Sequence, residues 1–266
     1  MNFKSILNLT QHENYRGQVF WTGGLLLVFL MIVTILFSES TLSYRNHMVS
    51  SLSYSLIDVA ITFMSLLIGS QIFIHDFTNR GIAEITIPRG ISRAKLLTWR
   101  VFSHYLSLLL FCAVFYVFRF LIMSFFLGSA HDPVETHFQM FCFSYLKATL
   151  AFSMATLLGI HTKPPIAILA VIGLLAAGHF SSGITSLSGD INPDEALHSP
   201  IARALLTFFK IWNPNNLVIE GFENTWEPIS SSFFIQRFLW GLFATISFLS
   251  VAILSISRKD IDPIHS

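Results

Sequence analysis

Charge is scarce in this sequence. Only 12% of its 266 residues are Asp, Glu, Lys or Arg, about half the share usual in a soluble domain. The net charge is +1, which gives no basic surface for nucleic acid. Two cysteines, Cys112 and Cys142, stand thirty residues apart within apolar stretches. That spacing is no metal-ligand pattern, and both read as small buried hydrophobes. The chain contains no G-x-x-x-x-G-K-[ST] loop, so the usual phosphate cradle of an ATPase is missing. Ten histidines are scattered, among them His75, His104, His161 and His179 near or within apolar runs, but none form H-x-x-x-H or H-E-x-x-H. No G-x-S-x-G serine is present either. With no catalytic constellation, the chain is read as a non-enzyme.

Apolar residues are abundant instead. They make up 53% of the chain, with 27 phenylalanines and a mean hydropathy of +0.64. So many apolar side chains do not fit a soluble core of this size, and the class is integral membrane protein. A spanning helix takes about 20 mostly apolar residues. Six runs qualify: 19–37, 52–74, 101–127, 138–160, 166–187 and 238–256. They are continuously apolar rather than alternating, which predicts helices and not barrel strands. No small-residue cleavage site follows the first run, so it is read as a retained helix. The expectation is one all-α domain over residues 1–266.

Six spans put both termini on one side of the membrane, and the cations say which. With the termini inside, ten cations face the cytoplasm: Lys4, Arg16, Arg80, Arg89, Arg93, Lys95, Arg100, Lys163, Arg258 and Lys259. Only Arg45, Arg203, Lys210 and Arg237 face outward. Both termini are therefore expected to be cytoplasmic. Within the long outer connection 188–237, Ile201, Leu205, Phe208, Phe209 and Trp212 fall near one helical face. That stretch reads equally as an interfacial helix on the outer membrane surface or as a packed loop helix.

The inner connection 75–100 is the densest in cations. It holds "RGIAEITIPRGISRAKLL" (Arg80 to Leu97), followed by Trp99 and Arg100. A solvated basic loop obeying the inside-positive bias accounts for the charge alone. The order of the residues goes further. It resembles the first cytoplasmic loop of ABC-2 type permeases, the membrane subunits of type-2 ABC exporters. That loop runs from an acidic residue through R-G-T-L-E-x-L-L and P-I-S-R to a G-K seven residues after the last arginine. Asp76 stands for the early acid; Arg80, Gly81 and Glu84 match the R-G-x-x-E; Ile91, Ser92 and Arg93 match I-S-R; Arg100 replaces the lysine. Ile82 and Ala83 depart from T-L, Gly90 takes the proline's place with Pro88 two residues early, and Trp99 replaces the final glycine. "WNPNNLVIEGF" (Trp212 to Phe222) and the tail "SISRKDI" (Ser255 to Ile261) are similar to pieces before and after the last span of some members.

The resemblance implies a coupling helix between the second and third spans that docks on a separate cytosolic ABC ATPase. Arg80, Gly81, Ile82, Glu84, Ile85, Arg93 and Arg100 would form this coupling loop, with Ile82, Ile85 and Ile87 as anchors. It also implies a second permease copy or paralogue, no cofactor in this chain because ATP is bound by the partner, and a multi-pass place in a bacterial inner membrane among its lipids. A scaffold or maturation factor without a transport cycle is the alternative reading.

Three ionisable residues fall inside the expected spans: Asp58, Arg119 and Lys147. Counted from the outer ends, all three lie roughly 9–14 Å deep. Such residues mark functional sites by default. Either Asp58 pairs with Arg119 or Lys147 in a layer that lines or gates a pathway, or the two cations snorkel outward while Asp58 caps locally.

The orientation is testable with single cysteines in a background lacking Cys112 and Cys142. Thr86→Cys is expected to resist a membrane-impermeant maleimide until the inner face is opened, whereas Asn216→Cys reacts in intact cells. The reverse pattern would invert the topology.

Overall fold

The computed structural model describes residues 45–78, 91–127, 134–187 and 230–258, with part of 5–36. Secondary structure among them is entirely helical. Five long helices follow the apolar runs: α1 (Arg45–Phe73), α2 (Arg93–Leu127), α3 (Val134–His161), α4 (Pro164–Leu187) and α5 (Ser231–Arg258). A π-helical turn, Ile74–Thr78, extends α1. Stretches within α1, α2, α3 and α5 are long and apolar enough to cross a membrane, and α4 carries a shorter apolar stretch, Pro164–Ala177. Of the expected first span, the described positions between 21 and 36 are helical, and Leu26 packs against a cluster holding Tyr54, Ile57 and Cys112. Residues 79–90, the expected outer helix within 201–212 and both chain ends lie outside the described residues.

The helices overrun the hydropathy boundaries because caps and turns end a helix, not the loss of apolar residues. α2 begins at Arg93, eight residues before the apolar run expected from Val101. Ser92 explains the start. Its Oγ accepts a hydrogen bond from the Lys95 amide at 3.3 Å, and its carbonyl accepts one from the Leu96 amide at 3.0 Å. That is N-cap geometry, which satisfies donors the first turn would leave open. Arg93, Lys95 and Arg100, expected in a loop, therefore ride on the first two turns of a helix. Only Thr162 and Lys163 separate α3 from α4, whose first turn holds Pro164 and Pro165, where a missing amide proton costs nothing.

α3 is the central helix, with nineteen of its 28 residues buried. α1 lies parallel to it and makes the most extensive contact, α5 packs on a second side, and α2 runs antiparallel to both α1 and α3. Small residues allow the α1–α3 approach. A Cβ on Gly69 would stand 2.6 Å from the Phe152 carbonyl oxygen, and one on Gly159 would stand 2.7 Å from that of Ser70. Ala151, Ala155 and Gly159 recur every four residues and are buried on one face of α3. In a lipid-facing bundle, where apolar burial between helices gains little over lipid contact, such close packing is a main source of association.

Apolar side chains point outward as well as inward. Leu110, Val114, Val117 and Leu121 of α2 and Leu239, Phe243 and Ile246 of α5 are exposed. The described cations separate by end. Arg93, Lys95 and Arg100 open α2, Lys163 lies between α3 and α4, and Arg258 ends α5, all at one end of the bundle; Arg237 lies at the other. The first of these is called the basic end below.

The packing makes a direct prediction. Gly159→Val would drive its Cβ into a backbone oxygen that cannot swing aside, and about 1–3 kcal/mol of destabilisation is expected. Gly173→Val, where a Cβ meets open space, should melt like the parent. Thermal unfolding in detergent compares the two; equal melting temperatures would show that the α1–α3 contact is looser than described here.

Candidate functional site

The three intramembrane charges form two sites, not one layer. Asp58 and Lys147 each stand thirteen residues beyond the first residue of their helices, about 20 Å along the axis. Because α1 and α3 run parallel, this brings the two side chains to one level. Lys147 Nζ donates to Asp58 Oδ2 at 2.6 Å. Ser144, one turn before Lys147, donates from Oγ to Asp58 Oδ1 at 3.0 Å. A serine hydroxyl has one proton, so Tyr116 must be the donor in its 2.8 Å contact with Ser144 Oγ. The result is a directed chain, Tyr116 to Ser144 to Asp58 from Lys147, that joins α2, α3 and α1. Both carboxylate oxygens are engaged, as a buried charge requires.

Arg119 is fully buried too but makes a separate site nearer the other end. Its Nε donates to Ser53 Oγ at 3.1 Å, and one terminal nitrogen donates to Ser50 Oγ at 2.7 Å and to the Ser50 carbonyl at 3.3 Å. The other terminal nitrogen meets His137 Nδ1 at 2.5 Å. A guanidinium only donates, so Nδ1 accepts and this imidazole carries its proton on Nε2. Phe120 packs edge-on against the same ring, 5.4 Å between centroids. Ser53 and Ser50 lie on α1 about one and two turns above Asp58, so Arg119 does reach toward the end of the bundle, as a snorkelling side chain would. It reaches into protein rather than to the lipid interface. Of the two partners open to Asp58, the geometry selects Lys147.

Tyr105 lies nearer the basic end, and Tyr145, on α3 between Ser144 and Lys147, reaches it. Ser153 Oγ donates to the Thr149 carbonyl at 2.7 Å, which leaves Tyr105 to donate to Ser153 at 2.5 Å. Tyr145 OH donates to the Tyr105 carbonyl at 3.2 Å. Cys112 is buried and Cys142 partly so, each with a free thiol. Among the described residues no three His, Cys, Asp or Glu side chains converge.

At the basic end the motif residues divide. Arg80, Gly81, Ile82, Glu84 and Ile85 lie outside the described residues. Arg93 and Arg100 are described. Arg93 is half-buried on the first turn of α2. Arg100 turns inward and is buried. Its Nε and one terminal nitrogen grip Asp76 Oδ2 and Oδ1 at 2.7 and 2.6 Å. Its other terminal nitrogen donates to Thr10 Oγ1 at 2.6 Å. Thr10 passes its own proton to the Ile6 carbonyl at 2.8 Å. Lys95 stays exposed over the Trp99 ring, 4.9 Å from its centroid. The two charged ends of the resembling segment thus hold each other.

Reading the sequence for ionisable residues missed the hydroxyls and the imidazole that complete these sites: Thr10, Ser50, Ser53, Tyr116, His137 and Ser144. A weak signal existed. Ser50 and Ser53 are spaced by one turn, and Ser144 precedes Lys147 by one turn.

No protein-family model matches the sequence, and no curated protein is similar to it.

The central pair yields the next prediction. Asp58→Leu leaves the Lys147 ammonium buried without its carboxylate and is expected to cost about 3–5 kcal/mol. Asp58→Leu/Lys147→Met removes both charges and is expected to recover most of that loss. Thermal unfolding of the variants in detergent reads both steps, and a single variant that melts with the parent would rule out a buried pair.

Proposed function

We propose that this chain is the membrane subunit of an ABC-2 type exporter. In this reading it crosses the membrane six times with both termini in the cytoplasm, pairs with a second permease copy or paralogue, and moves cargo when a separate cytosolic ATPase closes. The observation that carries the reading is the ordered set Asp76, Arg80-Gly81, Glu84, Ile91-Ser92-Arg93 and Arg100, which runs from the π turn after α1 to the second turn of α2.

Three physical points support it. The basic connection joins two antiparallel helices at the end where the described cations gather, which the inside-positive bias places in the cytoplasm. A short segment with Ile82, Ile85 and Ile87 flanked by Arg80, Glu84 and Arg93 has the composition of a helix that seats apolar anchors in a groove while its charges orient it. The chain carries no phosphate-binding loop of its own, so energy for transport would come from another polypeptide. Asp58, Lys147 and Arg119 lie at the contacts among α1, α2 and α3. There they would hold these helices in register as the permease changes state.

The test is co-purification of the tagged full chain in mild detergent. Wild type is expected to bring down a cytosolic ATPase, and Ile85→Asp to lose it while remaining membrane-inserted. A folded wild-type chain that captures no ATPase would instead support the scaffold or maturation role.

A further inference from the structure

The contact of Arg100 with Thr10 joins residues 90 positions apart, and that with Asp76 joins residues 24 apart. Three separate stretches of chain therefore meet on one guanidinium: the end of α1, the second turn of α2 and the N-terminal segment at residues 6–10. Thr10 is fully buried, Asp76 likewise, and Arg100 is 3% exposed. Ile6, Phe77, Leu96, Leu97 and Ile256 belong to the apolar cluster around them. The node is buried, so a group that loses its partner there is not freely rehydrated.

We propose that Asp76, Arg100 and Thr10 form a mechanical junction that passes a displacement of the α1 or α2 end to the N-terminal segment. The chemistry of the side chain fits this role. The planar guanidinium presents a two-pronged edge to the carboxylate and keeps a third nitrogen for Thr10; an ammonium is a point charge and lacks that fixed fork. Thr10 then relays the link into its own helical turn by donating to Ile6. Arg100 is the positioning residue, because it acts on the N-terminal segment through Thr10. Residues 79–90 join the two helix ends covalently, so any partner that moves that connection acts on the junction. This last use rests on the permease reading. The junction itself does not.

Hydrogen–deuterium exchange of the full chain in detergent, read at the amides of residues 5–10, tests it. Thr10→Val cuts the link at its end. Asp76→Asn alters a side chain on the far side of Arg100 from Thr10. Both are expected to raise exchange at 5–10 by roughly tenfold or more, and the double variant to raise it no further. Arg100→Lys keeps the charge and serves the same purpose if Asp76→Asn does not fold. Wild-type exchange at 5–10 in Asp76→Asn, or in Arg100→Lys in its place, would overturn the junction.

A second arm adds the co-purifying ATPase. Its binding is expected to change exchange at 5–10 in wild type but not in Thr10→Val, a difference that a purely structural contact would not produce. Binding without any change at 5–10 in wild type overturns the transmitting role and leaves the permease reading standing. Failure of any ATPase to co-purify overturns the permease reading, while the first arm still decides the junction.

Discussion

A lysine and an aspartate kept among apolar helices each need the other, and the Lys147–Asp58 contact is where this molecule meets that demand. Removing either ion from water costs several kcal/mol, and a short, fully hydrogen-bonded pairing is the arrangement that offsets it. The pairing then dictates more than its own geometry. It constrains the axial register of α1 on α3, because a slip of a few residues at about 1.5 Å each would draw the ammonium out of hydrogen-bond reach of the carboxylate. It also sets their rotation, because Ser144 must face Asp58 from the turn before Lys147. Tyr116 brings α2 to the same point. Three helices are thus tied together at one level by one buried charge pair and two hydroxyls, and the residues packed around them fit the same register.

The close contact lower in the same helix pair depends on this register. Gly69 meets the Phe152 carbonyl and Gly159 meets that of Ser70 only if α1 and α3 are aligned as the ion pair aligns them. One residue of slip would rotate Ala151, Ala155 and Gly159 off the face that needs them, since successive side chains on a helix are about 100° apart. Polar specificity and small-residue packing therefore support each other. The same coupling explains why Arg119 is tolerated at full burial: with α1 in place, Ser50 and Ser53 stand one turn apart opposite its guanidinium, and His137 of α3 completes the set.

Much of this could be read from the residues. Apolar runs of spanning length located α1, α2, α3 and α5, because continuous hydropathy is a strong one-dimensional signal. The pairing of Asp58 was narrowed to two cations by depth alone. Depth could not choose between them, because it counts rise and ignores azimuth: Lys147 faces Asp58, while Arg119 lies on α2 one turn beyond Tyr116 and reaches the other way. Helix starts were legible only in hindsight. Ser92 caps α2 inside what hydropathy treats as a loop, and a cap is a single side chain with no apolar signature. Thr10 was out of reach altogether, since nothing local to residues 6–10 announces a partner 90 positions away.

Arg100 shows how a cation in a basic segment can serve the bundle itself. In a cationic connection the simple expectation is that every arginine faces water or a partner's acidic rim. That expectation holds for a charge whose desolvation is not compensated. Here the Asp76 carboxylate and the Thr10 hydroxyl supply the compensation, so the last cation of the segment turns inward and becomes part of the bundle. The arrangement has a physical logic. A connection that leaves and re-enters a helix bundle is held in place when the groups at its two ends bind each other. Asp76 and Arg100 are at those ends, and they hold each other with both oxygens and two nitrogens at 2.6–2.7 Å. That clasp ties the end of α1 to the second turn of α2 through side chains alone, in addition to the chain that joins them.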